Sequence, residues 1–267
     1  MSNAVAVLPL PLSAVTASAT AAGHDPAHVG NDHMGVVWKS PAGAASRSLT
    51  IDLGSDRAFD TIALLGLTGA QPGWTLTVEA ATAAQGSGFP GGSWVGAALP
   101  LLAGAAMPPS GRGKALWLAP ASPPPPSRYI RLTLGSLASA AATVARVVVG
   151  ARVALERNFQ FGAAFGVRDL GNADFSARGV LLRRRGERLR SVGLTFPHVR
   201  RDEAEAKVAP LVEMAGNTDP ILIVTDPDPD AQRQNRIYFG LLIGDLGMVW
   251  ARPGGFEWRA NLVALDR

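Results

Sequence analysis

Two stretches constrain this chain more than any others: SLTIDLGSDRAFDTIALLG from Ser48 to Gly66, and RYIRLTLGSLASAAATVARVVVG from Arg128 to Gly150. Leu49, Ile51 and Leu53 alternate with polar neighbours, the period of a strand buried on one face and wet on the other. A tight turn is expected at Gly54-Ser55-Asp56, followed by a strand of near-continuous apolar residues. The second stretch reads as a strand opening on Tyr129, a loop of small residues, and a closing strand of Val and Ala. The fold class expected is mainly β.

At 267 residues the chain exceeds the usual single-domain size, so one large or two medium domains are expected. It contains no cysteine, which removes disulfides and thiolate metal sites together and fits assembly in a reducing cytosol. The net charge is +4, with 22 arginines against 3 lysines. A nucleic-acid binder should gather its positive charge on one face, and most of this chain does not, so DNA contact is not expected. The opening MSNAVAVLPLPLSAV has no basic start, and Pro9 and Pro11 break its apolar run, making it a poor secretion signal. No apolar run approaches the ~20 residues of a membrane span.

Charge density divides the chain. Residues 1–152 carry 9 basic and 6 acidic side chains, whereas residues 153–267 carry 16 and 15. The sparsely charged part also holds the Gly-, Pro- and Ser-rich stretches 86–92, 102–113 and 123–126, which read as long surface loops. Domains at 1–155 and 156–267 are therefore expected. In the second, 158–167 reads as a strand, and 179–185 and 187–196 as arms of a hairpin turning at Gly186. Asp202 is expected to cap a helix with Glu205 three residues on. That helix ends at Gly216 and carries Pro210 inside it, which predicts a kink or an early stop. Strands follow at 221–225, 236–243, 248–251 and 256–265, with a turn at 252–255 between the last two.

The strand end IDLG, the strand RYIRL and the closing ARVVVG resemble the discoidin-like (coagulation factor 5/8 type C) jelly roll. The order LLRRRGERLRSVGLTF, RRDEAEAKVAPLVEMAG, PILIVTDPDPD, YFGLL and FEWRANLVAL resembles the small β-barrel of siphophage distal and minor tail proteins, which share a fold with tail-tube subunits. Together these resemblances imply a discoidin-like jelly-roll sandwich followed by a tail-tube-like β-barrel with one α-helix.

Catalytic constellations are scarce. There is no Gly-x-Ser-x-Gly elbow, and the Gly113-Lys114 pair lacks the rest of a phosphate loop. His24, His28 and His33, with Asp25 and Asp32 beside them, form the one ligand-rich cluster, and plain surface is preferred there to a zinc site. Asp226, Asp228 and Asp230 alternate as the carboxylates of a calcium loop do, but prolines separate them and no glycine-then-glutamate follows, so a solvated connection is favoured. Trp38 and Trp74 are expected in the core, and Trp250 and Trp258 in the core or at a subunit interface. Trp94 sits in a Gly-rich loop with Phe89, where a flat ring can stack on a pyranose or tuck back onto its own domain. Asp32, His33 and Trp94 are the candidate ligand-binding residues, provided their loops meet at one end of the sandwich. Arg183, Arg184, Arg185, Arg188, Asp202 and Glu203 are the candidate oligomer contacts, pairing guanidinium with carboxylate between ring neighbours.

What the resemblance implies is a virion component without enzymatic activity, cofactor or metal. It would be a distal or minor tail protein forming a homo-oligomeric ring at the phage tail tip, assembled in the host cytoplasm. Its partners would be the tail tube, tape-measure and hub or tip proteins, with the outward domain touching a host-surface glycan. The alternative is a free-standing carbohydrate-binding module or an accessory domain of a glycan-processing system.

Overall fold

The computed structural model describes residues 2–265. In the front half two antiparallel sheets face each other. The larger runs Ala14–Ala17, Arg47–Arg57, Ser127–Gly135, Thr75–Ala81, with the short strands Trp94–Val95 and Leu99–Pro100 both on the far side of Thr75–Ala81. The smaller holds Thr61–Leu67 between Arg146–Gly150 and Gly113–Leu118. Leu49, Ile51, Val78, Ile130 and Leu132 from the larger sheet meet Ile62, Leu64, Trp117, Val147 and Val149 from the smaller, all buried. This is the expected jelly-roll sandwich. The turn expected at 54–56 is absent: the strand continues to Arg57, with Gly54 at φ +81°. A Cβ at Gly54 would also sit 2.6 Å from Ser13 Oγ, so a glycine irregularity inside a strand had the appearance of a turn.

The second sheet has eight strands. Its path is Arg152–Ala154, Val5–Val7, Ile221–Val224, Ile237–Leu242, Gly255–Ala264, Arg188–Arg200, Ala164–Asp169, and Met248–Arg252 also pairs Gly255–Ala264. Val153 and Leu155 from one side of it line the same narrow cavity as Leu194 and Phe196 from the other, so the sheet curls round its own core. The division expected at residue 155 does not follow this sheet. Val5–Val7 lies between Arg152–Ala154 and Ile221–Val224, placing both ends of the front segment in the second sheet.

The two halves share a core. Thr61–Leu67 is buried along its whole length: Ile62 and Leu64 face the sandwich interior, while Ala63 and Leu65 pack against Val5, Val7, Leu222, Val224, Ile237 and Phe239. Burial on both faces is why that strand shows no alternation. Polar pins reinforce the seam. Lys114 donates its backbone N–H to Gln234 Oε1 and its Nζ to Ile237 O, each at 2.8 Å, and Gln234 Nε2 donates to Ala106 O at 2.8 Å.

The Asp226–Asp230 connection was expected to be solvated; Pro229 and Asp230 are exposed as expected, whereas the Asp226 end is not. Asp226 is buried and accepts from Arg236 Nη1 at 2.9 Å, Asp230 lies 3.3 Å from the same guanidinium, and Asp228 accepts from the Ser2 amide at 2.9 Å.

The helix begins at Arg201 after the extended Arg200, and no side chain caps it, so Asp202 is not the cap. Glu205 instead bonds Arg201 at 2.7 Å, an i,i+4 pair. A π-helical turn over Ala204–Val208 precedes Pro210, absorbing a residue that has no N–H to give. Ala204, Val208, Leu211 and Ala215 cover Phe196 and Trp258.

The hairpin expected to turn at Gly186 is also different. Ala164–Asp169 pairs Arg188–Arg200, then Asn172–Phe175 pairs Leu181–Arg184, and the chain reverses at 176–180 with Gly179 at φ +76°. Gly186 marks a one-residue slip midway along this long ribbon, where Leu170 N still donates to Glu187 O at 2.9 Å.

Candidate ligand surface

On the larger sandwich sheet the residues that alternate with the core point outward. Ser48, Thr50 and Asp52 come from one strand, Tyr129, Arg131 and Thr133 from its neighbour, and Thr77 and Glu79 from the next, in register: Arg131 opposes Thr50 and Glu79, and Thr133 opposes Ser48 and Thr77. Strand pairing alone therefore sets a polar grid. Arg131 grips Glu79 through two bonds, Nε and Nη2 each 2.5 Å from a carboxylate oxygen. The Phe89 ring lies over this guanidinium, 4.3 Å from its central carbon. Phe89 is held at φ +49°, a left-handed conformation that costs a bulky residue energy and persists only where surroundings impose it. Nearby, Arg128 makes a second two-pronged grip on Asp52, at 2.7 and 2.8 Å, and lies 5.0 Å from the Tyr129 ring centre. A shallow depression of about 320 Å³ adjoins Arg131, lined by Ser18, Ser46, Arg47, Ser48, Glu79 and Thr133.

The electrostatics suit binding. The bond from Arg128 holds the Asp52 carboxyl below its ordinary range, and the bond to Glu79 raises Arg131 above its own. An acid kept ionised in this way has no proton to deliver near neutral pH. What the face offers is hydroxyls, charged planar forks and an aromatic ring, the groups that read a polyhydroxylated molecule.

The residues singled out from sequence are not brought together. Asp32 lies 3.2 Å from Arg146, whose guanidinium is buried, donates to Val29 O and is drawn below its usual value by desolvation, with Asp32 opposing. Arg146 opposes Leu65, so Asp32 and the exposed His33 sit toward the Leu67 end of Thr61–Leu67. Trp94 pairs with Ala80, bonds Ser122 O through Nε1 at 3.3 Å, and stands edge-on to Trp117 at 5.8 Å; Trp117 opposes Ile62, near the other end of that strand. The ring has tucked onto its own domain. His24 and His28 both direct Nδ1 to Val37 O at 3.2 Å, and no cluster of three or more His, Asp or Glu side chains placed to hold a metal ion occurs among the described residues.

Of the candidate oligomer contacts, Glu203 is corrected: it is only 6% exposed, and its Oε1 accepts from the Glu156 amide and from Lys207 Nζ, each at 2.9 Å. Asp202 is exposed beside Arg200, at 3.6 Å. Arg183, Arg184 and Arg185 are exposed on the ribbon, and Arg188 pairs with Asp169 at 3.1 Å within it. Trp38, Trp74 and Trp258 are buried, whereas Trp250 is 71% exposed.

A second concavity, about 900 Å³, lies between the halves and is lined by Leu99, Pro100, Leu118, Arg152, Asp228 and Arg233 among others. Its charges are already engaged: Arg152 with Asp60, Asp228 with Ser2, and Arg233 with the Ala103 carbonyl.

No family model matches the sequence, and no curated protein matches it. Several solved structures are similar. A chitosan-binding module from a chitosanase/glucanase of Paenibacillus sp. is 17% identical with a TM-score of 0.40, over 53% of this chain and 97% of that one. A family 32 CBM of C. perfringens NanJ, in complex with galactose, is 15% identical with a TM-score of 0.41, over 54% and 98%. A Ruminococcus gnavus GH29 fucosidase in complex with fucose is 18% identical with a TM-score of 0.39, over 54% of this chain and 25% of its own length, so the chain spans about a quarter of that enzyme.

Proposed function

We propose that this is a non-catalytic recognition protein whose front sandwich binds a glycan on the outer face of its larger sheet. The observation that carries this reading is the Phe89–Arg131–Glu79 constellation. A strained aromatic and a charged fork are held ready beside a depression rich in hydroxyls, with Asp52 kept ionised next to it. Single-site affinity would be modest and gain from repetition. Multivalent display on a glycan array, with chitosan oligomers and galactosides among the probes, tests the reading. Phe89→Ala and Arg131→Ala are each expected to weaken binding at least about tenfold, the effect of losing roughly 1.4 kcal/mol, while Asp32→Ala leaves it unchanged. Absence of binding to any saccharide would refute it.

A second reading concerns where such a module works. In a phage tail-tip component, copies of the chain would build a ring joined to tail tube and hub proteins, and the sandwich would present its face to the host. The exposed apolar ribbon of the second half favours assembly of this kind. Immunogold labelling of virions at the tail tip would support it, and labelling elsewhere would exclude it.

A further inference from the structure

The cleft between the halves is apolar along its floor and differs at its two ends. Leu116 and Leu118 line it because Ala115 and Trp117, which alternate with them on the strand Gly113–Leu118, face the sandwich core. Val5 from the second sheet and Leu102 from the preceding loop extend this floor, and Leu99, also in the lining, is 39% exposed. At one end the Ala103 amide donates to Lys114 O at 2.8 Å, and Arg233 donates Nε to Ala103 O at 3.1 Å and Nη1 to Pro227 O at 3.3 Å. At the other end Ala119 donates its amide to Asp60 O at 2.8 Å, and the Asp60 carboxylate holds Arg152 at 3.1 Å. From Lys114 to Leu118 the strand rises roughly 13 Å, so a leucine floor separates the two guanidiniums.

The two cations are not equivalent. Arg152 is neutralised by Asp60, whereas the partners of Arg233 are carbonyls, which satisfy donors without cancelling charge. The carboxylates nearest in sequence are committed elsewhere: Asp226 and Asp230 to Arg236, and Asp228 to Ser2. No carboxylate among the described residues pairs with Arg233, and burial alone draws its pKa below the ordinary value. Two of the five N–H donors of that guanidinium are used by the carbonyls. A half-buried cation without a counter-ion, in the wall of a cleft of about 900 Å³, is the arrangement that an anionic small molecule completes. No aromatic side chain lines the cleft among the described residues, so its floor suits an aliphatic body better than a stacked sugar ring.

We propose that this cleft is a second ligand site, taking an organic anion with an aliphatic body: a carboxylate of medium chain length whose head pairs with Arg233 and whose tail lies along Leu116 and Leu118. The planar guanidinium matches a carboxylate, and the chain gains by covering apolar surface that is now wet. The site is separate from the outer face of the larger sheet and does not depend on glycan binding there.

The test is calorimetric titration of the full chain with octanoate and, in parallel, with 1-octanol, which has the same chain and no charge. Octanoate is expected to bind saturably at one site and at least about tenfold more tightly than octanol. Arg233→Met should abolish that preference, and Arg233→Lys, which keeps the charge, should retain part of it. Because Arg233 also ties two loops together, Leu99→Asp serves as a variant that leaves those bonds intact: its added carboxylate should weaken octanoate more than octanol. Backbone amide shifts on octanoate addition are expected at Ala103, Leu116 and Leu118. Absence of saturable octanoate binding, equal affinity for octanoate and octanol in the wild type, or shifts centred away from these residues would each overturn the proposal.

Discussion

Gly186 shows how a single glycine can matter without a left-handed backbone. A Cβ there would lie 2.3 Å from Gly171 N and from Leu170 C, backbone atoms with no room to retreat. Gly186→Val is expected to part the ribbon at this crossing, so that trypsin cleaves after Arg178 and Arg183 several-fold faster. The core should stay within about 0.5 kcal/mol of wild type, because the opening is local. Gly88→Val is the fitting control, since its Cβ meets nothing within 4 Å; Gly92 is not, being at φ +96°. Equal cleavage rates in the two variants would show that the crossing is loose.

Asp52 supplies a pH-dependent counterpart. Its folded pKa is depressed by Arg128, so its contribution is complete above the ordinary carboxylate value of 3.8 and is lost as pH falls through the lower folded value. Asp52→Asn should therefore be less stable than wild type at neutral pH, with the difference shrinking below about pH 4. Melting curves from pH 2.5 to 7 check this, and a constant offset between the two proteins would contradict it.

Among the elements, the strand Val5–Val7 has the widest consequence for its size. Three residues complete the second sheet, and Val7 is fully buried against the strands that carry Leu65 and Phe239. Val7→Ala is expected to cost about 2 kcal/mol and to lower the melting of both halves together in one calorimetric transition. Two separated transitions would mean that the halves are independent. This strand was not legible in the sequence, because VAV is short, followed closely by prolines, and its partners begin at residues 152 and 221. The strands at 127–135, 221–224, 237–242 and 255–264 were legible, because their patterning is local. The ribbon's turn was misread because Gly186, amid charged residues, resembles a hairpin glycine more than the turn at Ser176–Gly179 does. Trp250 was expected in the core or at a subunit interface; the strand carrying it pairs with only one other, which leaves its ring outside the core.

At the scale of the whole molecule the chain is layered. An outward-facing polar sheet, a small doubly buried sheet, a curled eight-stranded sheet and a helix follow one another. The candidate surface was half legible: RYIRLT shows by alternation that Tyr129, Arg131 and Thr133 point away from the core. The partners Glu79 and Phe89 lie about 40 to 50 residues earlier, and only the sheet register and an imposed loop conformation bring them to Arg131. Asp32 and His33 drew notice as a polar cluster in a loop, yet they lie at the other end of the sandwich from Trp94. The measurement that tests the central claim most directly is a backbone amide NMR titration of the full chain with the saccharide that binds best on the array. The account expects saturable shifts confined to Glu79, Phe89, Arg131, Thr133 and the residues around them, abolished by Arg131→Ala; shifts centred on Asp32 and His33, or on the cleft between the halves, would contradict it.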